Sequence, residues 1–409
     1  MIEKSNSQLI LSIIVFAQFC CTSLWFASNA ALEDLLQAYK LPENILGDLT
    51  SAVQFGFIVG TLLFAFLTIS DRFSPSRVFF ISAVLGAIFN LTLVWDGNTI
   101  SSLLIFRALV GFFLAGIYPV GMKIAADYFE AGLGRSLSFL VGALVLGTAF
   151  PHFLKTFMEE ISWKYIVYTP SILALFGGIL MVMFVPDGPY RKRSTQWDSR
   201  AFIRIFRNKK LRVAAFGYFG HMWELYTFWA FVPVILKTYV ILNPEAHLTI
   251  SLWSFNIIAV GTIGCIAGGF ISEKFGVKRT AYASLLFSGM CCLLVPFLFS
   301  ASVPFFLAFL LFWGMVVISD SPLFSTLIAM NVASEVKGAA LTIVNCIGFA
   351  ITILSLQLLN YVANNFILET LKGASSMLSI YLYMLLALGP ILGLLALRKK
   401  NKPTKFEVR

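Results

Sequence analysis

The stretch LRVAAFGYFGHMWELYTFWAFVPVIL, residues 211–236, has after Arg212 only His221 and Glu224 as charged or imidazole side chains. About 20 consecutive apolar residues cross a bilayer as a helix. A charge at the bilayer centre costs about 2.5–3.5 kcal/mol on insertion scales. His221 and Glu224 are three residues apart and share one helix face. An acid and an imidazole on one face of a membrane helix point to a protein that binds, moves or carries protons.

The whole chain has the same character: 59% of its residues are hydrophobic, 12% are charged and 41 are Phe. A soluble domain has about 25% charged residues. Twelve apolar runs occur, at about 9–32, 46–69, 77–95, 100–123, 134–157, 164–185, 211–239, 248–272, 278–299, 303–327, 338–362 and 376–397, named spans 1 to 12 below. Backbone polar groups in lipid must be paired within the segment, so the runs are helices. The alternating ten-residue segments of an outer-membrane barrel are absent. The expected fold is an all-α membrane protein of twelve transmembrane helices.

Twelve spans put both termini on one side. Lys40, Lys155, Lys164, Lys237 and Lys372 fall on the other side and Arg107 lies inside a span, which leaves 24 of the 30 Lys and Arg on the terminal side. Cationic loops stay cytoplasmic, so both termini are expected there, in a bacterial inner membrane. The net charge of +10 reflects topology, and its scatter over short loops speaks against nucleic acid. Span 1 has Lys4 before it and Ala27-Ser28-Asn29-Ala30 near its end, but its length and the eleven runs after it favour an uncleaved helix over a signal peptide. The six Cys lie inside apolar runs and read as packing residues, with no metal or disulfide spacing.

The polar stretch 186–210 divides the spans six and six. It suggests bundles at 1–187 and 211–397, a cytoplasmic linker at 188–210 and a tail at 398–409. Phe202, Ile205 and Phe206 lie opposite Arg200, Arg204 and Arg207, a pattern that suits either an interfacial helix or an ordinary basic linker. The halves echo each other. Asp71-Arg72 with Arg77 follows span 2, and Glu273-Lys274 with Lys278-Arg279 follows span 8, the two acids 202 residues apart. Pro119 near the end of span 4 matches Pro322 near the end of span 10. A duplicated six-span unit is the mark of a secondary transporter with its site at the midplane between the halves.

The loop Gly269-Phe270-Ile271-Ser272-Glu273-Lys274-Phe275-Gly276-Val277-Lys278-Arg279 resembles the signature loop of the major facilitator superfamily. The first copy departs from it, with Leu67 and Ser74 at the glycine positions. Arg107-Ala108-Leu109-Val110-Gly111 resembles the superfamily's fourth-span arginine motif. Gly116-Ile117-Tyr118-Pro119, the Gly-His-Met-Trp-Glu-Leu-Tyr run and Ser319-Asp320-Ser321-Pro322 resemble a bacterial subgroup often labelled nitrate/nitrite-transporter-like. Authentic nitrate porters have an arginine on each of spans 2 and 8, and 46–69 and 248–272 contain neither Lys nor Arg. The resemblance implies two pseudo-symmetric six-helix bundles and a rocker-switch carrier. It makes Asp71, Arg72, Arg77, Glu273, Lys274, Lys278 and Arg279 candidates for a conformational latch on the cytoplasmic side. It also implies that spans 1, 2, 4, 5, 7, 8, 10 and 11 line the cavity.

Burial penalises the charged form of an acid or an imidazole. Glu224, near the midplane, is the first candidate for proton coupling, with His221 its partner and Asp320 a second ionisable element. The structural alternative bonds Glu224 to a Trp, Tyr or Arg of a neighbouring helix. Arg107 either holds an anionic substrate or pairs within its own half. Lys123, at the end of the same span, can snorkel. Candidate substrate contacts are Gln18, Thr22 and Trp25 on span 1, Gln54 on span 2, Arg107 on span 4, Trp223 and Tyr226 on span 7, Asn256 on span 8, and Asn345 and Gln357 on span 11. Singly, such residues are more often packing or interface groups.

A phosphate-binding glycine loop with Lys-Ser/Thr, haem attachment, a metal cluster and a Gly-x-Ser-x-Gly elbow are all missing from the sequence. Neither an enzyme nor a cofactor is expected. The expected protein is a monomeric, proton-coupled carrier of a small organic or amphiphilic solute. The alternatives are a multidrug/proton antiporter, or a uniporter or anion exchanger that relies on Arg107.

Overall fold

The computed structural model describes residues 2–42, 44–129, 133–157, 162–191, 206–332, 337–371 and 378–398. Ten of its helices are long and apolar enough to cross a membrane, and two shorter apolar helices, Gln8–Thr22 and Leu382–Arg398, stand at the positions of spans 1 and 12. The observed spans are Ile2–Thr22 continued by Ala27–Ala30, then Ile45–Phe66, Pro75–Leu91, Ile100–Leu114 with Tyr118–Tyr128, Leu133–Thr156 and Tyr165–Phe184. The second half has Lys209–Leu242, Ile250–Ala259 with Gly261–Phe275, Val277–Leu298, Val303–Ser319 with Ser321–Met330, Lys337–Leu371, and Leu378–Tyr381 continued through Leu382–Ala387 to Leu388–Arg398. The proposed linker helix falls on 192–205, outside the described residues, although Phe206 and Arg207 are helical.

Packing follows the sequence repeat. Span 2 packs on span 4 as span 8 packs on span 10, span 3 packs on span 6 as span 9 on span 12, and span 1 touches spans 5 and 6 as span 7 touches spans 11 and 12. The halves meet along two symmetric seams, span 2 against span 11 and span 5 against span 8. The face bearing the 2–3, 6–7 and 8–9 connections is called the basic face below, and the other the opposite face.

The two matching prolines act alike. Span 4 is interrupted at 115–117, just before Pro119, and span 10 at Asp320, just before Pro322. A proline has no N–H to donate and its ring crowds the preceding turn, so the helix restarts with proline in its first turn. The second signature loop is a single-residue corner: Phe275 ends one helix, Val277 begins the next, and Gly276 between them has φ 88°. That conformation favours glycine. The degraded first copy uses Thr68 at φ 49° instead, an uncommon conformation for a β-branched residue.

Close helix crossings depend on glycine. A Cβ on Gly56 would lie 1.7 Å from the Ala108 carbonyl oxygen, and one on Gly111 1.8 Å from that of Val53, fixing the approach of spans 2 and 4. In the second half a Cβ on Gly264 would lie 2.1 Å from the Met315 oxygen and one on Gly314 1.9 Å from the Ile257 oxygen. Small residues allow such backbone approach, and packing rather than hydrophobicity drives helix association in lipid. Replacing Gly56 or Gly111 with Ala is therefore expected to cost about 1–3 kcal/mol by overpacking. Gly338→Ala, with nothing within 4 Å of its Cβ, is the matched control. Thermal melts of the purified protein check this, and equal melting of G56A and G338A would contradict it.

Candidate functional site

Span 1 breaks at 23–26, and the first residues beyond the helix put Trp25 and Phe26 into the space between the halves. The Trp25 ring stacks on Tyr226 of span 7 at 5.5 Å and on Phe349 of span 11 at 5.8 Å, and tilts against Phe57 of span 2 at 5.0 Å. Phe57 and Phe349 meet at 4.6 Å, while Tyr226 also contacts Trp229, whose edge meets Phe26. The cluster thus joins spans 1 and 2 of one half to spans 7 and 11 of the other. Ring pairs at such distances add about 0.5–1.5 kcal/mol each beyond area burial.

Uncommitted polar groups border this cluster. Both amide atoms of Gln18 and of Gln54, and the indole nitrogens of Trp25 and Trp229, are buried without a hydrogen-bond partner among the described residues. Roughly 90% or more of buried polar groups are bonded in folded proteins, so these four side chains are candidates for contacts with water or a solute. Gln18 adjoins Gly121 of span 4, where a Cβ would lie 2.3 Å from its Oε1. Spans 1 and 2 run in opposite directions. At 1.5 Å per residue, Gln18 lies about 10 Å from Trp25 toward the basic face, and Gln54 about 4–5 Å from Phe57 toward the opposite face.

The sequence-predicted ionisable side chains His221, Asp320, Glu224 and Arg107 fall into three separate groups, and the expected His221–Glu224 pair is not among them. His221 Nδ1 lies 2.8 Å from Asp320 Oδ1, with both side chains 1% exposed, at the break in span 10. Neither group makes an aligned hydrogen bond. Glu224 accepts from Trp313 Nε1 at 2.7 Å, Ser288 Oγ at 2.9 Å and Cys292 Sγ at 3.2 Å. All three donors belong to its own half, so Glu224 is interior to that bundle and does not form a wall of the space between halves. Arg107, 0% exposed, donates to Asn90 Oδ1 at 3.0 Å and to the Leu24 and Trp25 carbonyls at 3.1 and 2.8 Å. Those carbonyls are freed by the break in span 1, and the two terminal guanidinium nitrogens pair with them and with Asn90, while Nε has no partner among the described residues. The expected anion contact at Arg107 gives way to this.

The last two groups are counterparts. Arg107 ties together spans 1, 3 and 4, and the Glu224 cluster ties together spans 7, 9 and 10. Each half thus has one polar knot where the corresponding helices meet.

The other sequence candidates scatter. Trp223 donates to the Leu385 carbonyl at 3.0 Å and faces span 12. The Thr22 hydroxyl bonds the Gln18 carbonyl of its own helix at 2.8 Å and packs against Gly147. Asn345 accepts from the Tyr218 hydroxyl at 2.6 Å, joining spans 11 and 7. Asn256 is half-buried on span 8 just before its break. Gln357 donates to Asp48 at 3.1 Å and Ser51 at 3.0 Å, and Asn360 to the Asn44 carbonyl at 2.9 Å. These bonds join the halves near the opposite face, beside the exposed Lys237–Glu33 pair at 3.1 Å. Gln357 is therefore part of a clasp between the halves.

On the basic face, Asp71 pairs with Lys123 at 2.8 Å, and Asp127 lies 3.9 Å from the same ammonium. Lys123 is thus a partner of the first signature loop. Arg72 and Arg77 are exposed beside it. Lys274 stands over the Phe275 ring at 5.5 Å, with Glu273, Lys278 and Arg279 close by in sequence at the second loop. Phe57, Phe349, Ser288 and Cys292 carried no signal among 41 Phe and several small residues. His152 is a further buried imidazole, on span 5, with Nε2 unpartnered. A lone histidine inside an apolar run was its only signal.

Twelve spans in two matched sets, meeting at a polar-bordered aromatic seam, define a membrane carrier. The model of the Major Facilitator Superfamily matches residues 14–356, and the chain belongs to that family. It is 23% identical over 291 residues to the uncharacterised MFS-type transporter YceJ of Bacillus subtilis (strain 168), covering 68% of this chain and 72% of that one. It is 24% identical over 280 residues to the glycerol-3-phosphate transporter of the same organism, covering 62% of each. Among solved structures it is similar to a D-xylose-proton symporter, with TM-score 0.77, 17% identity and coverage of 95% of this chain and 97% of that one. The proton:xylose symporter XylE gives TM-score 0.72 at 16% identity, covering 96% and 95%.

Arg107→Leu leaves two span-1 carbonyls and the Asn90 oxygen without their donor, and each unsatisfied buried group costs about 1–3 kcal/mol. The variant is expected to melt well below the parent, and Arg107→Lys to recover only part, because one ammonium cannot replace a planar fork. Melting of R107L within about 1 °C of the parent would show that the guanidinium holds nothing.

Proposed function

We propose that this transporter is a proton-coupled secondary carrier of a small, uncharged organic solute. In this reading the solute binds at the ring cluster of Trp25, Phe57, Tyr226 and Phe349 between the two bundles. One observation carries it: among the described residues, two buried carboxamides and two indole N–H groups stand unpartnered on helices that contribute rings to this cluster from both halves. A carboxamide both donates and accepts, and an indole donates, so together they match hydroxyl or amide groups on a solute with an apolar or ring-shaped body. Such a set favours a neutral ligand over an anion. The two cations that entered the reading of span 4 are committed, Arg107 to carbonyls and Lys123 to Asp71. An anion exchanger built on Arg107, or a phosphate-ester carrier like the glycerol-3-phosphate relative, lacks that support. A neutral sugar moved with a proton, as the printed names of the structural neighbours describe for those proteins, is compatible with it.

His221 and Asp320 are the preferred proton site. Among the described residues their side chains lie in close polar contact with each other, and they sit at an interruption of span 10 where a small helix movement changes their separation. Glu224 is held by three donors within its own bundle, which suits a fixed carboxylate. Alternating access moves the bundles at 1–187 and 211–397 about the seam, with the Gln357–Asp48 clasp closing the opposite face. Multidrug/proton antiport is the second reading, favoured by the aromatic seam. The four unpartnered polar side chains weigh against it, because a lipophilic cargo leaves them unsatisfied.

The first test is a thermal-stability screen of neutral polyols, sugars and amides at pH 5 and pH 8. A ligand at 100 times its Kd stabilises by about 2.7 kcal/mol. With the solute found, proteoliposomes containing a pH-sensitive dye separate the acids. Asp320→Asn is expected to abolish solute-driven proton flux, and Glu224→Gln to keep it wherever the protein folds. The reverse pattern moves the proton site to Glu224. Gln54→Leu is expected to weaken solute binding about tenfold by removing a buried hydrogen-bonding partner, and unchanged binding would remove that side chain from the site.

A further inference from the structure

The basic face of the first half holds a pocket that the transport reading does not use. It lies between the turn after span 2 and the end of span 6, with a volume of about 510 Å3. Its polar lining is Arg72, Arg77, Arg191, Ser74, Ser76 and Asp187, and its apolar lining is Phe73, Val182, Val185 and Pro186. The end of span 6 is pinned there by close approach: a Cβ on Gly188 would lie 2.4 Å from the Asp127 carbonyl oxygen. Tyr190 N–H donates to that same carbonyl at 3.0 Å.

The acids nearby are already engaged. Asp187 accepts from Arg191 and from the Ser74 hydroxyl, Asp71 pairs with Lys123, and Asp127 shares the same lysine. Arg191 donates to the Phe73 and Asp71 carbonyls at 2.7 and 3.2 Å, yet its side chain, 8% exposed, keeps Nε without a partner. Arg72 and Arg77 are exposed at the rim, and among the described residues neither forms an ion pair. Three guanidinium groups therefore converge on a pocket with one acid, itself bonded. On its apolar side Phe73 is exposed, as are Met183 and Phe184 next to Val182 and Val185 on span 6. Planar guanidinium forks match phosphate oxygens. Basic pockets between transmembrane helices, with an apolar flank, take phospholipid headgroups.

We infer that this pocket binds the phosphate headgroup of an anionic phospholipid in the leaflet on the basic face, with its acyl chains along spans 3 and 6. A free phosphate ion shares the headgroup chemistry but leaves the Phe73–Val182–Val185 side unused.

The test uses the full chain purified in neutral detergent, titrated with short-chain phosphatidylglycerol, with phosphatidylcholine of the same chain length, or with inorganic phosphate. Phosphatidylglycerol is expected to raise the melting temperature by about 2–4 °C, and the other two by less than about 1 °C. The double variant R72Q/R77Q is expected to lose about tenfold in phosphatidylglycerol affinity, since each surface cation contributes to anionic-lipid attraction. The variant K278Q/R279Q, which removes equal charge from the other signature loop, is expected to stay within about twofold. If R72Q/R77Q does not fold, native mass spectrometry of lipid retained by the single variants R77Q and S74A reads the same site, each retaining less than the parent. Equal stabilisation by inorganic phosphate or phosphatidylcholine overturns the proposal. So does undiminished phosphatidylglycerol binding or retention in the variants, or an equal loss in K278Q/R279Q.

Discussion

The guanidinium of Arg107 caps a broken helix from inside the bundle. Span 1 stops its hydrogen-bond ladder at Thr22, and two carbonyls that lipid could not satisfy are satisfied by one side chain from span 4. The break sends Trp25 sideways to meet Tyr226 and Phe349 of the other half. Without a buried cation at that place the chain would have to leave carbonyls unpaired or continue the helix, and the aromatic seam would lose its central ring. The rule behind this, that backbone polar groups in an apolar surrounding must find internal partners, also requires each other interruption to be compensated.

The second half solves the matching junction with different chemistry. Trp313 of span 10 donates to Glu224 of span 7, and Ser288 of span 9 completes the cluster. Span 7 is unbroken there, so no carbonyl needs a cation, and a carboxylate is held by neutral donors instead. The pseudo-symmetry is thus one of helix packing and knot position, not of residue identity. His221 and Asp320 have no such set of donors around them, which is why they, and not Glu224, are proposed to change protonation during transport. Lys123 and Arg191 give the signature loop on the basic face its partners, and the Gln357 and Asn360 bonds join the halves at the opposite face.

Much of this was legible in the sequence. Apolar run length gave the spans, because a bilayer sets how long a helix must be. Pro119 and Pro322 were legible as matching marks of the repeat, and both stand just after a helix interruption, since proline's missing N–H acts locally. Trp25, Tyr226, Gln18 and Gln54, expected as substrate contacts, are all buried.

The sequence by itself determined which residues are embedded and how many apolar runs the chain has, because both depend on hydropathy within a few residues. Only the tertiary structure decided what the embedded polar residues touch. His221 and Glu224 share a helix face at a spacing of three, yet that face adjoins several helices, and the residues turn to different partners. Arg107 could have faced a solute until the break in span 1 placed two carbonyls within its reach. Direction around a helix axis and the choice among neighbouring helices are set by packing across the whole bundle. No single run of sequence contains that information.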